Sequence, residues 1–95
     1  MAITFYIPGP LRQHTRGRSQ VEVNRPAATV AEALAALWEA YPGLRDRVLT
    51  EQGEVRQHVN IFVGDENIRY CGGFAAAVNN GTAIMIVPAV SGGSR

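Results

Sequence analysis

Thr29-Val30-Ala31-Glu32-Ala33-Leu34-Ala35-Ala36-Leu37-Trp38-Glu39-Ala40-Tyr41-Pro42-Gly43 carries the signals for both ends of a helix within fifteen residues. Thr29 and Glu32 have the spacing of a capping box, in which a hydroxyl and a carboxylate each satisfy a backbone N–H of the first turn. Val30, Leu34, Leu37, Trp38 and Tyr41 then recur at spacings of four, three, one and three, which lines one face of a helix with apolar side chains. Pro42-Gly43 ends it. Leu44 to Leu49 (LRDRVL) reads as a short further helical turn, and Thr50 to Gln57 as a polar loop.

The segments on either side read as strands. Ala2 to Ile7 (AITFYI) is rich in β-branched and aromatic residues and is stopped by Pro8-Gly9-Pro10. After a polar loop at Arg12 to Arg18, Ser19 to Asn24 (SQVEVN) alternates Val21 and Val23 against Gln20, Glu22 and Asn24, the pattern of a half-buried antiparallel strand. Downstream, His58 to Val63 (HVNIFV) places Val59, Ile61 and Val63 on one face and His58, Asn60 and Phe62 on the other. Gly64-Asp65-Glu66-Asn67 is a turn, Ile68-Arg69-Tyr70 a short edge strand and Asn79-Asn80-Gly81 a second turn. Thr82 to Val87 (TAIMIV) is the last strand, with Ile84 and Ile86 inward and Met85 and Val87 outward. Strands before and after one amphipathic helix define an α+β layer, a mixed sheet packed on one main helix.

Composition narrows the function. A chain of 95 residues forms one small domain with little room for a deep substrate cleft, so catalysis within the monomer is not expected. The formal net charge is +1, and Arg12, Arg16, Arg18, Arg25, Arg45, Arg47, Arg56 and Arg69 are spread along the chain among acids, which argues against a nucleic-acid partner. There is no lysine, so the protein cannot form a lysine-linked isopeptide with a copy of itself. A single cysteine, Cys71, rules out an internal disulfide and fits a reducing compartment. No signal peptide or membrane-length apolar run is recognised, so the expected location is cytoplasmic, with no membrane partner.

The last segment, Val87-Pro88-Ala89-Val90-Ser91-Gly92-Gly93-Ser94-Arg95, runs from a strand into a glycine pair. An enzyme that activates a terminal carboxyl must draw it through a narrow channel, where a Cβ clashes with the walls and glycine does not. Taken alone, such a tail also reads as an ordinary frayed terminus, since Gly and Ser collect there.

The element order, the stretch VNIFVGDENIRYCGG at Val59 to Gly73, the run NNGTAIMIVPAV at Asn79 to Val90 and the Gly92-Gly93 ending together resemble the ThiS/MoaD family of ubiquitin-like sulfur carriers, most closely its CysO-like branch. The resemblance implies a β-grasp fold over residues 1–90 and a flexible Gly-Gly tail at 91–95. It also implies a chemistry. An E1-like adenylyltransferase uses ATP-Mg to make an acyl-adenylate at Gly93, with Gly92 threading the channel. Sulfide or a persulfide then displaces AMP and leaves a C-terminal thiocarboxylate. That sulfur passes to a sulfur-accepting synthase, of which a PLP-dependent cysteine or homocysteine synthase is the example. The protein is then a co-substrate rather than an enzyme and binds no cofactor or metal of its own. Extended, Ala89 to Gly93 spans at most roughly 18 Å.

Here the Gly93 carbonyl is held in an amide with Ser94, and an amide cannot be adenylated. The resemblance implies removal of Ser94-Arg95 by a JAMM-type zinc metalloprotease, whose metal polarises the carbonyl and activates water. The alternative is that Ser94-Arg95 is extraneous and the native chain ends at Gly93.

Phe62, Met85 and Val87, with Val90, form a candidate partner-docking patch, although single exposed apolar residues are common. Arg56 and Arg69 either ring that patch or are solvated charges. Cys71 reads as a small apolar residue rather than a persulfide relay, because no cation or second thiol flanks it. His14 and His58 are too isolated to define a metal site. Asp65 and Glu66 lack the spacing of a calcium loop. Gly72-Gly73 reads as a backbone requirement inside the domain. Two rivals accompany the carrier reading: a ubiquitin-like modifier that forms isopeptides through Gly93, and the small subunit of a molybdopterin synthase. A third is a binding module whose tail does no chemistry.

Overall fold

The computed structural model describes residues 2–88. The boundary expected at residue 90, and the tail beyond it, lie outside these residues. Five strands form one mixed sheet: β1 (Ile3–Tyr6), β2 (Gln20–Val23), β3 (Val59–Val63), β4 (Glu66–Asn67) and β5 (Ala83–Pro88), in the order β2-β1-β5-β3-β4. Between β2 and β3 lie α1 (Val30–Ala40) and α2 (Pro42–Val48). The α+β layer read from the sequence is the layer found, with strand ends within a residue or so of those expected.

Alternation explains which sheet face meets the helices. Ile3 and Phe5 of β1, Val21 and Val23 of β2, Val59 and Ile61 of β3, and Ile84 and Ile86 of β5 are all buried. They meet Val30, Ala33, Leu34, Ala36 and Leu37 of α1 and Leu44 and Val48 of α2 in one core. Trp38 and Tyr41 close its rim, half-buried. A helix stripe of period 3.6 and strands of period 2 thus present matched apolar surfaces, and this burial is the main favourable contribution to the fold.

The start of α1 departs in detail from the expected cap. The Thr29 hydroxyl accepts the Glu32 N–H at 3.3 Å, as a capping box requires. The Glu32 carboxylate, however, accepts the N–H of Ala28 at 2.6 Å, one residue earlier than Thr29. The Val30 N–H donates to the Ala76 carbonyl and the Val78 N–H to the Ala28 carbonyl, which staples the helix start to the segment leading into β5. Thr29→Ala is expected to destabilise the protein by about 1 kcal/mol in urea unfolding. A change below a few tenths would mean that this staple holds the helix start without the hydroxyl.

Two readings are corrected. The polar loop expected at Arg12 to Arg18 begins as a 3-10 helix at Gly9–His14 and then buries Thr15 completely. The Thr15 hydroxyl can enter the interior because it lies 2.9 Å from the Arg18 carbonyl and 3.2 Å from the Arg12 carbonyl, which replace water. The edge strand expected at Ile68-Arg69-Tyr70 is instead a 3-10 helix. Asn67 causes this: its side-chain oxygen accepts the Arg69 N–H at 3.0 Å, turning the chain and dropping Ile68 into the core. The edge strand that does form is Glu66–Asn67, inside the expected turn.

The internal Gly72-Gly73 pair has a conformational role. Gly72 has φ 113° and Gly73 φ 62°, a region L side chains rarely adopt, and a Cβ on Gly72 would sit 3.5 Å from the Ala76 nitrogen.

Candidate functional site

β5 is the middle strand of the sheet. It pairs in parallel with β1 through Thr4–Ala83, Phe5–Ile84 and Tyr6–Met85, and antiparallel with β3 from Val63–Ile84 to Val59–Pro88. The first half of β5 is paired with β1, and Ile84 to Pro88 with β3, so its last described residue, Pro88, is held on one side by Val59. Four residues, 89–92, lie between Pro88 and Gly93.

The sheet face turned away from the helices carries the expected patch. Phe62 lies opposite Met85, and Met85 opposite Tyr6, so the three form one row across β3, β5 and β1. Met85 is 43% exposed and Tyr6 36%, while Phe62 and Val87 are half-buried. Phe62, Met85 and Val87 are therefore brought together as the alternation required. Val90, Gly92, Gly93 and Ser94 lie outside the described residues. Tyr6 was missed, although its signal was present: in AITFYI it alternates with Ile3, Phe5 and Ile7 and must share a face with Thr4.

Arg56 and Arg69 are not loosely solvated charges. The Arg56 guanidinium donates twice to the Asp46 carbonyl, at 3.0 and 2.8 Å. Arg69 donates to the Asn60 side chain at 2.7 Å and to the carbonyls of Arg56 and Val59 at 3.1 and 3.0 Å. Asn67 also donates to the Asn60 oxygen, at 3.1 Å. These bonds fix the beginning of β3, the part paired with the end of β5. Arg69 does border the patch, because its partner Asn60 lies opposite Val87.

Cys71 is a half-buried free thiol packed against the core, in keeping with an apolar role. His14 packs by Gly43, with its Nε2 atom buried and without a hydrogen-bond partner among the described residues. Among the described residues no three His, Cys, Asp or Glu side chains gather as metal ligands, and no helix is long and apolar enough to cross a membrane.

A hairpin β1-β2, a parallel central pair β1-β5 and a helix packed across one face define a ubiquitin-like β-grasp protein. The chain belongs to the ThiS family, whose profile matches residues 5–93. The sulfur carrier protein CysO of Mycobacterium tuberculosis is 36% identical over 95 residues, spanning 98% of this chain and 100% of its own. The crystal structure of the Amycolatopsis orientalis BexX/CysO complex matches with a TM-score of 0.83 at 35% identity, covering 96% of this chain and 99% of the matched one. Small archaeal modifier protein 1 of Haloferax volcanii matches with a TM-score of 0.81 at 30% identity, covering 98% of this chain and 100% of its own. The likeness is thus to sulfur carriers of the CysO type, and more broadly to ubiquitin-like modifiers.

Proposed function

We propose that this protein carries sulfur as a thiocarboxylate on Gly93 and delivers it to a biosynthetic enzyme that makes cysteine, homocysteine or another sulfur-containing metabolite. The full-length similarity to CysO carries this reading, and the central place in the sheet of β5, the strand that precedes Gly92-Gly93 in sequence, supports it. Residues 1–90 act as the body and 91–95 as the tail, in the cytoplasm. Hydrolysis of the Gly93-Ser94 amide by a zinc metalloprotease first frees the Gly93 carboxylate. That carboxylate attacks the α-phosphate of ATP on an E1-like adenylyltransferase and releases pyrophosphate. Sulfide then attacks the acyl carbon, the acyl-oxygen bond breaks, and AMP leaves. The resulting thiocarboxylate is a nucleophile tethered to a folded handle, so its delivery to a synthase is governed by docking rather than by free diffusion of sulfide.

The row of Tyr6, Met85 and Phe62, with Val87 beside it, is the docking surface in this scheme, and Val90 is a further partner contact. A methionine beside two aromatic rings provides adaptable apolar contact. Met85→Asp is expected to raise the KM of activation by about tenfold. It is expected to leave the melting temperature nearly unchanged, because Met85 is 43% exposed. An unchanged KM would remove this face from the interface.

Intact mass spectrometry of the protein from its native host, under reducing conditions, tests the function. The expected result is a mass lacking Ser94 and Arg95, with a fraction in which one oxygen is replaced by sulfur. A uniformly full-length, unmodified mass under sulfur demand would overturn the carrier reading. The likeness to an archaeal modifier supports a second reading, attachment of Gly93 to lysines of other proteins. Isopeptide adducts in extracts would favour it, and the absence of lysine would limit it to single attachment.

A further inference from the structure

Arginines that are far apart in the sequence border the described end of β5 at Pro88. On one side of Pro88 a groove is lined by Pro8, Arg12, Gln20 and Val87. On the other side a second groove is lined by Leu11, Arg47, Arg56, His58 and Val59. Arg69 completes the ring, since it donates to the carbonyl of Val59, the residue paired with Pro88. Asp46 is the one acid in either groove, and its carboxylate lies 3.6 Å from Arg45. The ion pairs among the described residues, Arg25–Glu39 and Arg45–Asp46, include none of Arg12, Arg47, Arg56 or Arg69. With a net charge of only +1, a pole this basic leaves the remainder of the molecule close to neutral or acidic. Glu66 lies at the far end of β3, and Arg25 follows Val23, which pairs with Ile3 at the far end of β1.

We propose that Arg12, Arg47, Arg56 and Arg69 form a cationic collar that docks on an acidic rim around the opening through which the adenylyltransferase receives the tail. This rests on the carrier reading above. The charges surround a strand end on two sides rather than forming the continuous stripe that follows a nucleic-acid backbone, so the fitting partner is a protein surface that closes around the strand. Clustered like charge steers encounter and fixes orientation, and it weakens with salt. Arg12, Arg56 and Arg69 are also pinned by bonds to backbone carbonyls, which sets the collar's shape before any partner arrives.

The test uses protein ending at Gly93, its adenylyltransferase, and ATP-pyrophosphate exchange measured across a sodium chloride series. Arg47→Glu is the variant of choice, because Arg47 is exposed and its side chain makes no hydrogen bond among the described residues. Arg25→Glu, at the opposite pole, makes the same change in net charge. Arg47→Glu is expected to raise KM about tenfold at low salt with kcat unchanged and to flatten the salt dependence, while Arg25→Glu stays within about twofold of the parent. Equal responses of the two variants would overturn the collar and leave the carrier reading intact. Absence of exchange by the parent protein would overturn both. If Arg47→Glu weakened binding of a short single-stranded RNA without affecting exchange, the arginines would belong to nucleic acid instead, and the proposal would fail.

Discussion

Protein ending at Gly93 is expected to support ATP-pyrophosphate exchange with an E1-like adenylyltransferase, and the 95-residue chain is expected to support none. The difference is all or nothing because the reacting group is absent from the longer chain: the Gly93 carbonyl is an amide to Ser94 and has no carboxylate oxygen to attack ATP. In the shortened chain, Gly92→Ala is expected to reduce kcat/KM strongly. A methyl group forced against a tight wall costs about 1–3 kcal/mol, or roughly five- to 150-fold. Urea unfolding should not change if residues 91–95 act as the tail proposed above. Exchange by the full-length chain would mean that the activated carboxylate is not on Gly93. Undiminished exchange by Gly92→Ala would mean that the tail does not pass through a narrow channel.

The largest effect on stability is expected from Phe5→Ala. Phe5 is fully buried in β1, opposite Val21 on one side and Ile84 on the other. Removing the ring forfeits its burial and leaves a cavity, together about 3–5 kcal/mol. A domain of this size has about 5–15 kcal/mol in all, so much of its stability would be lost. The urea midpoint should fall sharply with an unchanged slope, and the variant should become a poor substrate for activation, because β1 is one of the two strands holding β5. A loss under about 1 kcal/mol would show that the core refills around the gap.

The helix was legible because its determinants are local. Thr29, the stripe from Val30 to Tyr41, and Pro42 lie within about four turns of one another, and helix signals act over three or four residues. The inward faces of β3 and β5 were legible for the same reason, through a period of two. Ile68-Arg69-Tyr70 was misread because its composition favours a strand, while the deciding bond, from the Arg69 N–H to the Asn67 side chain, competes with strand pairing and leaves no periodic trace. Glu32 bonding Ala28 rather than Thr29 is a similar case. The chain before the helix is set by pairing with residues 76–78, more than forty positions away.

The same division runs through the site. Sequence alone determined the groups on offer: a glycine pair at 92 and 93, an amide between Gly93 and Ser94, a strand with Met85 and Val87 on its outer face, and no lysine. These follow from residue identity and short-range spacing, which do not depend on the rest of the chain. Only the tertiary structure decided that β5 is the central strand, that Tyr6 joins Met85 and Phe62 in one row, and that Arg12, Arg47, Arg56 and Arg69 converge on Pro88. Read along the chain, those arginines are scattered among acids. Strand pairing, which joins residues about eighty positions apart, gathers them at one pole, and no local pattern records which strands will pair.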